Sequence, residues 1–269
     1  MKLSDRWMKS QSRFVIVAAT LLTLPVTAQT PSPDQLQRII DSGVLRVGTT
    51  MDTPVFSMRN AAGEIEGFDM DALATLAPAL GVKIEYVKMT FGSMMADLAA
   101  NKFDIAMSGM GRTLDRARTA TFSKPYMRYG KLMMIRSADK NRFKSLADLD
   151  KTGIKIAYNR GGLNETFAKT MFQQASPVAF DSNALATTDL MAGKVDAQVA
   201  DSTAAIYLAR QDTRIAAMDP SNVYNPVYVA VLLHREDQTL LNYINIWIDQ
   251  IDMDGTLARI RTKWLGDGN

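Results

Sequence analysis

From Leu45 onward the chain alternates short β-rich runs with helical stretches, and after Tyr126 the alternation begins again. This pattern constrains the fold more than any single residue, because a helix between like-directed strands builds βαβ units and a parallel sheet. In the first set, Leu45–Thr49, Lys83–Met89 and Asp104–Met107 read as strands. Phe68–Leu80, closed by Gly81, and Ser93–Lys102 read as helices. The second set has strands at Lys131–Arg136, Ile154–Tyr158, Val178–Asp181, Val195–Ala200 and Val227–Leu233. Its helices are Asn164–Gln174, Asn183–Ala192, Ser202–Gln211, Leu240–Ile251 and Leu257–Trp264, with breaks at Gly193 and Gly255. Two α/β sets in 269 residues predict two lobes, since domains run to about 100–200 residues.

Lys2, Arg6, Lys9 and Arg13 precede an apolar run from Phe14 to Ala28 that ends Val26-Thr27-Ala28. This is the charged region, apolar core and small-residue cleavage site of a secretory signal. The run is shorter than the roughly 20 residues of a membrane-spanning helix. The expected organisation is a signal peptide over 1–28 and a polar, Pro-containing linker over 29–35. Residues 1–28 carry four basic residues and one acidic residue, and the whole chain 31 and 28, so residues 29–269 hold 27 of each. The basic pI therefore belongs to the signal, and nothing in the exported part argues for nucleic acid or an anionic membrane. There is no Cys and one His, His234. That excludes thiol catalysis and Cys-ligated zinc and argues against a Ser-His-Asp triad. No cofactor or metal is expected.

The segment Phe103–Tyr126 carries the clearest chemistry. A strand, Asp104–Met107, runs into the small-residue turn Ser108-Gly109-Met110-Gly111, and Thr113 can cap a short helix bearing Arg116 in its first turn. A cation there opposes the helix dipole. An anion beside it would resolve the conflict, and backbone N–H groups plus a guanidinium fork make a carboxylate-sized receptor. A solvated Arg116 near Asp115 is the alternative. Gly161-Gly162-Leu163-Asn164 is either a second anion-accepting helix start or a Gly-rich turn capped by Asn164. Met51, Met58 and Met110 lie near the same loops, as adaptable lining or as core. Asp52 and Arg160 flank them, as selectors of a charged ligand group or as solvated residues.

In order along the chain stand Gly67-Phe68-Asp69-Met70-Asp71, Phe103-Asp104-Ile105-Ala106 and Phe122-Ser123-Lys124-Pro125-Tyr126. Gly161-Gly162-Leu163-Asn164-Glu165, Asp196-Ala197-Gln198-Val199-Ala200-Asp201 and Lys263-Trp264-Leu265-Gly266 follow. On these motifs the chain, from about Leu36 to Gly266, resembles family 3 of the bacterial extracellular solute-binding proteins, the amino-acid-binding family. The resemblance implies a two-lobed α/β fold of the type II periplasmic-binding-protein kind, each lobe a mainly parallel sheet flanked by helices. Lobe 1 would comprise 36–128 and 229–269, and lobe 2 129–228. Crossovers would lie near Met127–Lys131 and Tyr224–Tyr228, with Gly130 and Pro226 beside the hinge. Ligand would sit in the cleft and the lobes would close over it.

Carried over residue by residue, the resemblance makes Arg116 the carboxylate receptor, assisted by Ser108, Gly109 and Met110. It makes Asp201 the ammonium partner, at the end of an apolar strand where a parallel sheet opens to ligand. The alternative for Asp201 is a cap on the helix beginning at Ser202. Gly162 and Leu163 would form the opposite arm. The implied protein is a periplasmic monomer that delivers a small carboxylate ligand, an amino acid or related organic acid, to an ABC-transporter permease.

The chain also departs from the family. Thr53 stands where the first of two clamping aromatics is expected, and Val55 splits the usual Pro-Phe pair at Pro54 and Phe56. Phe91 matches the second aromatic, and Leu163 replaces a common hydroxyl residue. The FDIAMSG stretch, Gly161-Gly162 with Asn164-Glu165, and Tyr126 through Lys131 also resemble the periplasmic cyclohexadienyl dehydratases, which act on prephenate or arogenate. Such a dehydration needs a general acid at the leaving hydroxyl. That family's acidic residue falls where this chain has Ala204. The expectation is therefore a binding protein that is not an enzyme. A dehydratase, with Glu165 as substitute acid, is the alternative.

Overall fold

The computed structural model describes residues 34–266. The expected signal over 1–28 and most of the 29–35 linker lie outside the described residues. The end of that linker is already structured: Asp34 Oδ1 accepts from the Gln37 N–H at 2.9 Å and caps the helix Gln35–Ser42. That helix seats Ile39 in the core and ends at Gly43, with φ 68°.

The first sheet runs in the order Lys83–Lys88, Val44–Thr49, Ile105–Ala106, Leu232–His234, Ala120–Phe122. The first three strands are parallel, and Leu232–His234 is antiparallel to both its neighbours. Leu45 and Val47 are fully buried beneath the helix Phe68–Leu80 and the returning helices Gln238–Met253 and Thr256–Leu265. Gly67, ahead of Phe68–Leu80, has φ 146°, and a Cβ there would stand 2.2 Å from the Phe56 carbonyl oxygen. Only glycine allows that approach.

The second sheet runs Ser176–Phe180, Lys155–Asn159, Ala197–Asp201, Met127–Arg136, Ile215–Met218, and Tyr224–Val229 also pairs with Met127–Arg136. The first three strands are again parallel; the long strand Met127–Arg136 is antiparallel to its three partners. Its first half pairs with Tyr224–Val229 and its second half with Ala197–Asp201 and Ile215–Met218. Met133, Ile135, Ile156 and Val199 form its core with Phe167.

Two differences from the sequence reading matter. The apolar run Val227–Leu233 is not one strand: Tyr224–Val229 belongs to the second sheet and Leu232–His234 to the first. Between them Ala230 N–H donates to the Met110 carbonyl and Val231 N–H to Ser123 Oγ. The run is buried from Val229 onward, on both sides of the change of sheet, and apolar pattern does not report a change of partner. A third, small sheet, Asp52–Thr53, Ser57–Arg59 and Ile65–Glu66, went unread because its strands are too short to show a period.

Candidate functional site

The loop after Ile105–Ala106 builds one wall. Ser108 is fully buried, its hydroxyl 2.6 Å from Ser57 Oγ and 2.8 Å from Thr50 Oγ1. Thr50 Oγ1 in turn lies 2.7 Å from Thr53 Oγ1, so this hydroxyl chain ends at the cavity wall. Gly109 has φ 66°, its N–H donates to Asp69 Oδ2 at 2.7 Å, and its carbonyl accepts from the Tyr129 hydroxyl at 3.2 Å. The Met110 side chain is core. The Ser108 hydroxyl, the Gly109 N–H and the Met110 side chain, expected to help receive a carboxylate, are thus engaged within the protein, and they shape the loop that presents Arg116.

Thr113 caps the helix Leu114–Ala117 by accepting from the Arg116 N–H at 3.3 Å. Arg116 itself is only 9% exposed, so it is not the solvated surface arginine of the alternative reading. Its Nη1 donates to the Gly111 carbonyl at 2.9 Å, and no acidic side chain among the described residues pairs with it. Burial pulls its pKa down, and the Tyr129, Asp201 and Asp115 charges pull it part of the way back.

The other wall is the end of Ala197–Asp201. Asp201 lies directly across the antiparallel ladder from Lys131. The Lys131 ammonium donates to Asp201 Oδ1 and pairs with it; the residues are 3% and 7% exposed. Asp201 occupies the N-cap position of Ser202–Gln211 but makes no side-chain cap bond. Burial lowers the Lys131 pKa, the Asp201 carboxylate opposes that, and Arg116 adds to the lowering. The Tyr129 ring lies 5.0 Å from the ammonium, and burial, with Asp201 next, pushes its phenol well above the ordinary range.

Beside Asp201 is a cavity of about 410 Å³, whose lining includes Thr53 and Asp201 of the expected site residues but neither Arg116 nor Lys131. Thr53 and Arg59 line it from the first-sheet side and Asn183, Gln198, Asp201 and Ala204 from the other. A second cavity of about 410 Å³ adjoins it at Met51, Asp52, Arg59 and Asn183 and extends to Phe91. Asp52 bridges the walls, its Oδ2 accepting from the Asn183 N–H at 3.1 Å. Burial raises the Asp52 pKa against the pull of its Thr50 and Asn183 hydrogen bonds.

The Gly161 loop closes on the facing wall. A Cβ on Gly161, at φ 74°, would stand 2.2 Å from Gly92 Cα; one on Gly162 would touch Phe91 Cβ at 3.5 Å. Leu163 packs over Gly111, where a Cβ would meet its Cδ1 at 2.6 Å. Glu165 Oε2 accepts from the Gly161 N–H at 2.6 Å, and its pairing with Lys169 lowers its pKa. That is the wrong direction for the substitute proton donor considered from sequence.

The motifs that carried the resemblance hold the fold together more than they face the cavity. Asp69, fully buried, accepts from Gly109 N–H and from the Tyr126 hydroxyl at 2.7 Å, and burial raises its pKa to about 7. Asp71 Oδ2 accepts from Lys263 Nζ at 2.6 Å and Trp264 Nε1 at 2.7 Å, joining the first motif to the last. Lys131, Arg59, Asn183 and Gln198 were not read as site residues. Lys131 left a signal, a lysine heading the apolar run Leu132–Ile135, and so did Gln198, an amide inside the apolar strand Val195–Ala200.

The family profile of the bacterial extracellular solute-binding proteins, family 3, matches residues 45–267. The cyclohexadienyl dehydratase of Pseudomonas aeruginosa is 33% identical over 259 residues, 96% of each chain. The L-cystine-binding protein TcyJ of Escherichia coli is 25% identical over 231 residues, 86% of each chain. Among solved structures, the ancestral amino acid-binding protein AncCDT-1, a precursor of cyclohexadienyl dehydratase, superposes with a TM-score of 0.81. It is 35% identical, and the match covers 86% of this chain and 99% of that one. The fold is therefore that of the type II periplasmic binding proteins. The dehydratase relative overturns the expectation, drawn from Ala204, that the chain is not an enzyme: a full-length relative at 33% identity is one.

Proposed function

Since the chain belongs to family 3 of the bacterial extracellular solute-binding proteins, we propose that it captures a small carboxylate ligand in the cavity between its two sheets and passes it to the permease of an ABC transporter. The ligand class is an amino acid or a related organic acid, and the protein works in the periplasm as a monomer. One observation carries this reading: Arg116 is buried with a single carbonyl as its hydrogen-bond partner and, among the described residues, no carboxylate bonded to it, Asp201 and Asp115 acting only through space. A buried cation without a counter-charge costs several kcal/mol. A ligand carboxylate removes that cost. Residues 36–128 and 229–269 form one lobe and 129–228 the other, hinged along the paired crossovers Met127–Lys131 and Tyr224–Tyr228. Asp52 and the Gly161 loop hold the lobes together around the ligand, with Phe91 and Thr53 on the facing wall.

The test is a thermal-shift screen of the protein against amino acids and small organic acids. Binding at a hundredfold excess over Kd stabilises by about 2.7 kcal/mol. Arg116→Met should abolish the shift given by every carboxylate ligand; a shift that survives it removes Arg116 from the site.

The dehydratase relative and one feature of the cavity favour a second reading, turnover of the captured ligand. Asp52 places a carboxyl on the wall of the cavity that Ala204 lines, with a pKa raised by burial as a proton donor requires. Release of phenylpyruvate from prephenate, abolished by Asp52→Asn, would establish it. No release at saturating prephenate leaves capture alone.

A further inference from the structure

We infer that the cleft prefers a carboxylate ligand without an α-ammonium group, a 2-oxo or 2-hydroxy acid, over the matching amino acid, because Lys131 already neutralises the carboxylate of Asp201. This rests on the carboxylate-capture reading and narrows its ligand class.

Lys131 and Asp201 stand opposite each other in the ladder between Met127–Arg136 and Ala197–Asp201, paired side chain to side chain and almost wholly buried. Lys131 has no other hydrogen-bond acceptor among the described residues; beyond Asp201 its ammonium faces the Tyr129 ring. Lys131 bonds Oδ1 of Asp201, so an incoming ligand ammonium would have to share the carboxylate through Oδ2 and set a second cation beside a buried one. One carboxylate cannot neutralise two ammonium groups, and displacing Lys131 instead would leave its charge buried against an aromatic face, which does not replace a carboxylate.

The local charge count points the same way. Arg116 and Lys131 contribute two positive charges near Asp201, whose single negative charge is felt by both. Asp115, the other carboxylate that Arg116 feels, is solvent-exposed, so among the buried groups the surplus is one positive charge. A monoanionic oxo or hydroxy acid neutralises it, whereas a zwitterionic amino acid does not. The remaining cavity carboxylate, Asp52, already accepts the Asn183 N–H, and Arg59 lines the same cavity. Neither makes a ready second seat for an ammonium.

Isothermal titration of the unmodified protein with matched pairs tests this: phenylpyruvate and phenylalanine, 4-methyl-2-oxopentanoate and leucine, 2-oxoglutarate and glutamate, pyruvate and alanine. For whichever pair binds, the oxo acid should bind at least tenfold more tightly. An amino acid that binds as tightly as its oxo acid, or more tightly, overturns the inference while leaving carboxylate capture intact. Binding by no member of any pair removes the capture reading and this inference with it. Lys131→Met, which frees Asp201, should narrow or invert the preference, and Lys131→Arg should keep it. A preference unchanged in a folded Lys131→Met protein shows that the pair does not set it.

Discussion

On the first-sheet wall, Arg116 is buried with one carbonyl to bond; on the second-sheet wall, Lys131 is buried still more deeply, but Asp201 lies directly across the ladder. The two cations are close enough for each to feel Asp201. One wall therefore carries a charge that its own fold leaves uncompensated, and the other a charge that its own fold neutralises. Breaking a buried pair leaves a stranded ion, whereas removing an unpaired buried ion relieves a cost. The same residue type thus has opposite consequences on the two walls.

The largest expected effect breaks that comparison directly. Lys131→Met strands the Asp201 carboxylate and should destabilise the unliganded protein by about 3–5 kcal/mol. Arg116→Met strands no charge, only the Gly111 carbonyl, a cost of about 1–3 kcal/mol that the removal of a buried cation offsets, so its net effect on unliganded stability should be the smaller of the two. Urea unfolding of both variants without ligand checks this; equal losses would mean that Arg116 has a counter-charge after all.

Next in size is a pH effect at the base of the first wall. The native Asp69 carboxyl titrates near pH 7, and an unfolded one near 3.8. Between those values the native state holds a proton that the unfolded state has released, so stability falls as pH rises through that window. The full contribution is on the order of 4 kcal/mol. Asp69→Asn keeps an acceptor for the Gly109 N–H and cannot ionise, so its stability should vary less between pH 4 and 7 than that of the wild type. Parallel slopes in denaturant melts across that range would show that Asp69 is ionised throughout.

Smaller effects sharpen the contrast between bracing and binding. Asp71→Ala removes the acceptor of Lys263 and Trp264 and should lower unfolding stability by about 1–3 kcal/mol, with ligand affinity unchanged. Asp52→Ala removes the bond across the cleft to Asn183 and, at about 1 kcal/mol for one net hydrogen bond, should weaken ligand binding by about fivefold. A Kd that does not move would place Asp52 outside the closing contacts.

Much of this was legible in the residues. Phe68–Leu80 and Ser202–Gln211 have the bounds that their apolar spacing and flanking residues imply. Thr113 caps the helix of Arg116 as its hydroxyl allows. The family motifs identify the fold, but side by side they prove to be brackets, Asp69 to Gly109 and Tyr126, Asp71 to Trp264. The cavity is lined largely by residues outside those motifs, such as Arg59 and Asn183, whose polar loops look like ordinary surface in one dimension.

The sequence by itself determined the two α/β sets, the caps and the carriage of a cation at Arg116, because helix period, strand period and capping act over a few neighbouring residues. Only the tertiary structure decided that the strand run Val227–Leu233 divides between two sheets, that Asp52 meets Asn183 from 131 residues away, and that Lys131 neutralises Asp201 across 70. Which charge is paired and which is left for a ligand depends on strand order and register. Those follow from how the whole core packs, and no local pattern records them.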